Sequence, residues 1–335
     1  MVNFPDEPSF GGKNLGAWLR RLDVAASEND CEAAQNAIRT IGKTAIPFLL
    51  DGLQKGGRYA QRAAAAFHVL GEEAVSAIGD IERNPGPDPT FSGYALAGIG
   101  ITALGSTISF LKHPEPMVRS AGAEAIANLM INKCLSEEQK RSCLHELLSN
   151  LNDAHPHVRA RTASAIGLMG IEPARCVPQL MQLLDVRDNL SLCSVVQALG
   201  NFGEYALPAQ PRILGFLKNG SGSLRQFCIG VLGRIGGQES FEAIVEAIND
   251  SDFSARSEAI NGLGQFPERI SKSLPILLQV LETGSSIEKW NALNAIRDLG
   301  PLAKKALPVV NRLLANPNDA GGEPSILATI KAINI

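Results

Sequence analysis

Small and apolar residues recur along this chain in a single twelve-residue phrase, which appears nine times between Cys31 and Gly300. Its clearest copies are residues 159–170 (RARTASAIGLMG) and 225–236 (RQFCIGVLGRIG). Taking the closing residue of each copy as an anchor gives Gly42, Gly71, Gly105, Met130, Gly170, Gly203, Gly236, Pro267 and Gly300, with a frayed tenth near Asn334. Small or apolar residues stand eight, seven, five, four and one positions before nearly every anchor. In one unit these are Thr162, Ala163, Ala165, Ile166 and Met169; in another, Ala259, Ile260, Gly262, Leu263 and Phe266. Such offsets build one face of an α-helix rather than alternate faces of a strand. A glycine anchor predicts a left-handed stop at the end of that helix.

A second helical stretch follows each anchor, as in residues 45–50 (AIPFLL), 176–181 (CVPQLM), 273–278 (SLPILL) and 306–311 (ALPVVN). The proline in these segments predicts a first helical turn, where its missing N–H costs nothing. Each unit therefore reads as two antiparallel helices. Neither can bury its apolar stripe alone, so the units must stack on one another.

Composition narrows the picture. Apolar content of 45% supports a large core, and aromatics at only 5% predict closely approaching helices. Lysine and arginine number 31 against 34 acidic residues, a net charge of −3, which argues against a nucleic-acid polyanion as main partner. Cys31, Cys134, Cys143, Cys176, Cys193 and Cys228 never fall in a C-x-x-C spacing. Two of them sit inside helical phrases, a usage that favours a reducing, cytoplasmic setting. No apolar run is long enough to span a bilayer. A leader removed ahead of Met1, and hence export, remains compatible with the sequence.

The phrase and its companion helix resemble HEAT repeats, particularly the short bacterial form V-R-x-x-A-A-x-A-L-G-x-I-G shared with phycobilin lyase-type proteins. Val118-Arg119, Val158-Arg159 and Leu224-Arg225 match the V-R pair, as does Ala255-Arg256 with alanine for valine. The opening residues 12–19 (GKNLGAWL) look like the start of uncharacterised bacterial proteins of this type. The resemblance implies an all-α, right-handed α-solenoid (superhelix) of about ten two-helix repeats. It would span residues 15–335 as one domain after an extension at 1–14, with irregular units around 80–105 and 131–157. It also implies that each V-R arginine pairs with an Asp in the preceding turn. Asp153 precedes Arg159 and Asp250 precedes Arg256, Asn219 substitutes before Arg225, and His113 before Arg119 does not fit.

Two breaks in the rhythm are candidates for function. Residues 84–93 (NPGPDPTFSG) are too rich in proline and glycine for helix, and lead into residues 94–105 (YALAGIGITALG). Read as one helix, that stretch is apolar on every side, with Tyr94, Leu96 and Ile99 as an apolar patch. Either the preceding loop covers it or it is a sticky surface open to a partner or to self-assembly. The second break is the 40-residue spacing from Met130 to Gly170, where Ser136 followed by two glutamates predicts a capped, extended outer helix.

If the second helix of each unit lines the concave side, as the resemblance implies, positions ten, nine, six and two before each anchor face outward there. They include Arg161, Gln197, Asn201, Phe227, Arg234, Asn261, Trp290 and Asn294. Amides and hydroxyls with isolated aromatics suit a protein or peptide surface, in which aromatics anchor and polar groups set register. A solvated helix face must carry polar residues anyway, so no single one of these is diagnostic.

Catalytic and cofactor chemistry finds little support. His155 and His157 flank a proline beside Asp153, fewer ligands than zinc requires. Residues 41–44 (IGKT) imitate the end of a phosphate-binding loop, but position 37 is Ala where that loop needs Gly. Deoxyhypusine hydroxylases share the repeat type but use several His-Glu dyads, whereas only His145-Glu146 occurs here. DNA glycosylases of this architecture require a basic groove, and the phycobilin lyase likeness rests on scaffold positions. The sequence thus points to a non-enzymatic scaffold with no cofactor, no metal and no catalytic residue, binding a protein or peptide. Small-molecule handling of the lyase-like kind, or self-assembly through residues 94–105, are the alternatives.

Overall fold

Helices occupy the predicted phrases in the computed structural model, which describes residues 7–22, 28–185 and 188–335. The chain falls into two compact units, Met1–Glu172 and Pro173–Ile335. In the first, among the described residues, a two-stranded ribbon of β1 (Ser9–Phe10) and β2 (Lys13–Asn14) precedes ten helices: α1 (Leu15–Arg20), α2 (Glu28–Ile41), α3 (Ile46–Lys55), α4 (Gly57–Leu70), α5 (Ile78–Arg83), α6 (Pro89–Ile99), α7 (Leu104–Leu111), α8 (Pro116–Ile131), α9 (Glu137–Asn150) and α10 (Pro156–Met169). The second contains α11 (Pro173–Gln182), α12 (Asn189–Asn201), α13 (Gln210–Asn219), α14 (Gly222–Ile235), α15 (Gln238–Ala247), α16 (Phe253–Gly262), α17 (Ile270–Thr283), α18 (Ser286–Leu299), α19 (Leu307–Arg312) and α20 (Glu323–Ile333).

Within each unit the even-numbered helices form one row and the odd-numbered helices a second row packed on it. In the first unit α4, α6, α8 and α10 lie side by side; in the second α12, α14, α16, α18 and α20 do. This two-layer stack of helix pairs is an all-α solenoid arrangement, with large side chains such as Phe67, Phe110 and Phe266 fully buried between the layers. The expected stops are present: Gly42, Gly71, Gly170, Gly203, Gly236 and Gly300 all take positive φ. Several lead into a 3-10 turn before the next helix, as at Gly203–Ala209 and Gly300–Ala306. Proline placement departs from expectation in two units, because Pro178 and Pro275 lie inside α11 and α17 rather than in their first turns.

The irregularity around residues 80–105 dissolves once the register is corrected. The third phrase ends at Gly100 (φ +102°), not at Gly105, which belongs to α7. Counting back from Gly100, the inward positions are Ser92, Gly93, Ala95, Leu96 and Ile99, and all five are buried. The stretch that read as one helix apolar all round is the end of α6, a turn and the start of α7. The wide spacing after Met130 comes largely from a loop, where Lys133 takes φ +55°, before the capping box of Ser136 and Gln139 opens α9. At 14 residues, α9 is no longer than α17.

Arginines tie neighbouring pairs together, but not as the resemblance implied. Arg119 grips Asp153 through Nε (2.7 Å) and Nη2 (3.1 Å), and its Nη1 donates to the carbonyls of His113 and Pro114. Arg225 reaches Asp250 at 3.0 Å and Arg256 reaches Glu288 at 3.4 Å. Arg159 and Arg256 meet the backbone carbonyls, not the carboxylates, of Asp153 and Asp250 in their own turns. Each Asp therefore serves the arginine of the preceding pair. The own-turn contact is a carbonyl that any residue supplies, which is why His113 fits after all.

Candidate partner-binding surfaces

The outward edge of the even-numbered row offers one candidate face in each unit. On the first, α6 is recessed between its neighbours because its contact residues are so small. A Cβ at Gly98 would stand 2.7 Å from the His68 Cα, and one at Gly93 would stand 2.6 Å from the Ala121 carbonyl oxygen. No side chain larger than hydrogen fits at either point without moving backbone. The result is a groove of about 370 Å³ over Ala64, Ala65, Ala97 and Gly98, flanked by Gln61 and His68 on α4 and by Asn128 and Asn132 on or after α8. Phe91 and Tyr94 stand edge to face at its side, ring centroids 6.3 Å apart.

Next to the groove a polar link joins three helices. The Tyr94 hydroxyl donates to Glu124 Oε1 (3.3 Å), and Arg161 Nε holds Glu124 Oε2 at 2.8 Å. Burial, and then the Glu124 carboxylate, push the Tyr94 phenol above its ordinary value. The apolar patch expected at Tyr94, Leu96 and Ile99 does not exist as a surface. Leu96 and Ile99 are buried in the hydrophobic core, while Tyr94 is half-buried and lines the groove. The physical reason is the register: those positions are inward relative to Gly100. His68, which lies beside the apolar stripe in the sequence, is exposed.

On the second unit the predicted residues fall on four consecutive helices. Gln197 and Asn201 are exposed on α12, Arg234 is exposed and Phe227 half-buried on α14, and Asn261 is half-buried on α16. Trp290 on α18 is 44% exposed, its indole resting against Gly321. Asn294 does not join them. It is buried, its amide oxygen lacks a partner among the described residues, and α20 with the preceding turn packs on its helix. Arg161 belongs to the first unit, where Glu124 engages it.

Side chains of this face lie across glycines of the neighbouring helix. Arg234 passes over Gly200, where a Cβ would meet Nη2 at 2.8 Å, and Glu258 passes over Gly230, where it would meet Oε1 at 2.6 Å. Burial pushes the Glu258 carboxyl up, and the Arg234 guanidinium partly opposes this. Gln265 donates to Asp298 at 3.4 Å. The sequence reading missed Phe91 and Gly98 as surface positions, since both are visible only when the third phrase ends at Gly100.

Reactive groups are scarce. Burial pushes the Cys143 thiol up to about 11, and burial with the neighbouring Cys193 pushes Cys228 up to about 12, so both stay protonated at neutral pH. His155 and His157 stack with centroids 5.5 Å apart. Among the described residues no three His, Cys, Asp or Glu side chains gather as a metal site would require. No helix there is long and apolar enough to cross a membrane.

A family model for HEAT repeats matches residues 209–297. Yeast importin-beta (Kap95p) has a similar structure, with 16% identity over 95% of this chain and 50% of that one and a TM-score of 0.61. Kap121p bound to Nup53p is similar with 12% identity, 95% and 41% coverage and a TM-score of 0.58. The complex of CpcE and CpcF of phycocyanin lyase from Nostoc sp. PCC7120 aligns at 16% identity over 79% of this chain and 94% of that one, with a TM-score of 0.48. No curated protein matches in sequence. At these identities the likeness concerns the fold.

Proposed function

We propose that this chain, whose residues 209–297 match the HEAT-repeat model, is a non-catalytic scaffold whose second unit binds a protein or peptide along the face of α12, α14, α16 and α18. The observation that carries this is the exposure of Trp290 on α18, with Phe227 half-buried on α14 and side-chain amides on α12 and α16. A large aromatic held 44% exposed on a packed helix keeps apolar area available for a partner. Gln197, Asn201 and Asn261 both donate and accept, which suits peptide groups, and Arg234 with Glu258 sets a polar boundary. A structural neighbour, Kap121p, is described as bound to Nup53p.

The test is affinity capture followed by quantitative comparison of bound proteins. The Phe227→Ala, Trp290→Ala double variant should lose the specific partner at least tenfold, while Leu302→Ala, which truncates an exposed side chain outside the four helices, should retain it. Equal recovery by the double variant contradicts the proposal.

A further inference from the structure

One carboxylate on the second unit stands without the kind of partner that its counterparts have. Arg119 holds Asp153, Arg225 holds Asp250, Arg256 holds Glu288, and Arg161 with the Tyr94 hydroxyl holds Glu124. Glu258 on α16 is half-buried too, yet among the described residues no hydrogen bond or ion pair reaches it. A carboxylate drawn partly out of water without a donor costs the fold free energy. Burial accordingly pushes the Glu258 carboxyl up, and Arg234 offsets this only in part.

The repeat shows what is missing. Glu124 stands six positions before the anchor of its phrase, Arg161 nine before the anchor of the next, and their side chains meet at 2.8 Å. In the second unit the same two positions are Gly230 and Glu258. A long charged side chain again reaches back from position nine, but position six carries nothing to meet it. The three heavy atoms nearest to a Cβ at Gly230 would all be those of Glu258, with Oε1 at 2.6 Å, Cδ at 3.5 Å and Cγ at 3.8 Å. The carboxylate therefore lies on the bare backbone of α14, where a pairing group would otherwise rise.

Arg234 does not fill that place. It is one turn beyond Gly230, but its guanidinium lies over Gly200 of α12, the helix on the other side of α14 from α16. Phe227, a turn before Gly230 and half-buried, borders the same spot with an apolar ring. An unpaired carboxylate beside an aromatic ring suits an alkyl stem ending in a positive charge: the stem covers the ring and the head meets the oxygens. A neutral side chain would leave the carboxylate unpaired, and an acidic one would repel it.

We infer that the partner of the second unit delivers a lysine or arginine side chain into the space over Gly230, where it pairs with Glu258 and rests on Phe227. The inference depends on the docking face proposed above and adds to it the charge of the segment that binds. Stability of the free chain and affinity for the partner then pull on Glu258 in opposite directions.

Peptides selected from a random library on the full chain, fluorescently labelled and titrated, are the probe. Those whose binding requires Phe227 and Trp290 should carry a lysine or arginine. Exchanging that residue for norleucine should weaken binding to the wild-type chain about tenfold or more, and to Glu258→Gln by no more than about twofold, the mark of a direct pair. Glu258→Gln should bind the parent peptide about tenfold more weakly while melting no lower than the wild type, which separates a lost contact from a damaged fold. The inference is overturned, and the docking face stands, if peptides that need both aromatics bind without a basic residue or lose the same factor to norleucine in both chains. If every selected peptide binds the Phe227→Ala, Trp290→Ala double variant unchanged, the docking face and this inference fall together.

Discussion

The two units are built from the same helix pair yet present different faces, and the difference lies in what crosses the glycines. In the first unit Gly93 and Gly98 meet backbone, so two helices close on α6 and a groove opens above it. In the second unit Gly230 meets the end of Glu258, and Gly200 meets both Arg234 and the Val231 methyl at 2.8 Å, so side chains lie across both glycines. Gly264 of the second unit also meets main chain, at Ala295, so the contrast belongs to these particular glycines and not to the whole of either unit.

The largest separation between sites is expected at the inter-pair ties. Asp153 accepts from Arg119 and from the His155 N–H, and both members of the ion pair are mostly buried. Asp153→Ala leaves Arg119 without its carboxylate and should destabilise the first unit by about 3 kcal/mol or more, read as lost hydrogen-exchange protection in α8 and α10. Protection in the second unit should be unchanged, since stability in stacked repeats is carried by neighbours.

Glycine substitutions come next. Gly98→Ala drives a Cβ into the His68 backbone and should cost about 1–3 kcal/mol. Gly230→Ala meets only the mobile end of Glu258 and gains helix propensity, so it should be neutral or stabilising by up to ~1 kcal/mol. Equal losses at the two glycines, measured by denaturant unfolding, would erase the contrast between the faces.

Acid response should differ in sign. Burial raises the Asp153 carboxyl, but Arg119 and the His155 N–H outweigh it and hold the value below the usual range. Its contribution is thus present above about pH 4 and lost as pH falls through the lowered folded value. Glu258 is pushed up by burial, so its ionisation costs stability as pH rises through its raised value. Glu258→Gln should accordingly raise the neutral-pH melting temperature of the second unit slightly and flatten its pH dependence. Asp153→Asn should lower that of the first unit and remove its acid transition. Trp290→Ala should cost about 1–2 kcal/mol, because more than half of the residue is covered and its indole rests on Gly321, while binding should fall sharply.

Much of this was legible in the sequence. Positions eight, seven, five, four and one before each anchor gave the buried face of nearly every even-numbered helix, and Ser136 marked the start of α9 correctly. The third unit misled because residues 94–105 contain three glycines (Gly98, Gly100 and Gly105), each after an apolar residue, and spacing alone cannot say which takes positive φ. Packing against α4 and α8 decides for Gly100. Arginine partners were misassigned because a turn six residues upstream is close in sequence, whereas the accepting carboxylate lies 25 to 34 residues ahead. Asn294 was read as outward because its own helix exposes that position. It is α20, packed on α18, that covers it.

Site-specific photo-crosslinking tests the binding proposal for the second unit most directly. Benzoylphenylalanine placed at 227 or 290 should trap the captured partner, and the same group at the exposed α17 positions 272 or 279 should not. Crosslinks confined to 272 and 279 would put the partner on the odd-numbered row and contradict the assignment of α12, α14, α16 and α18 as the docking face.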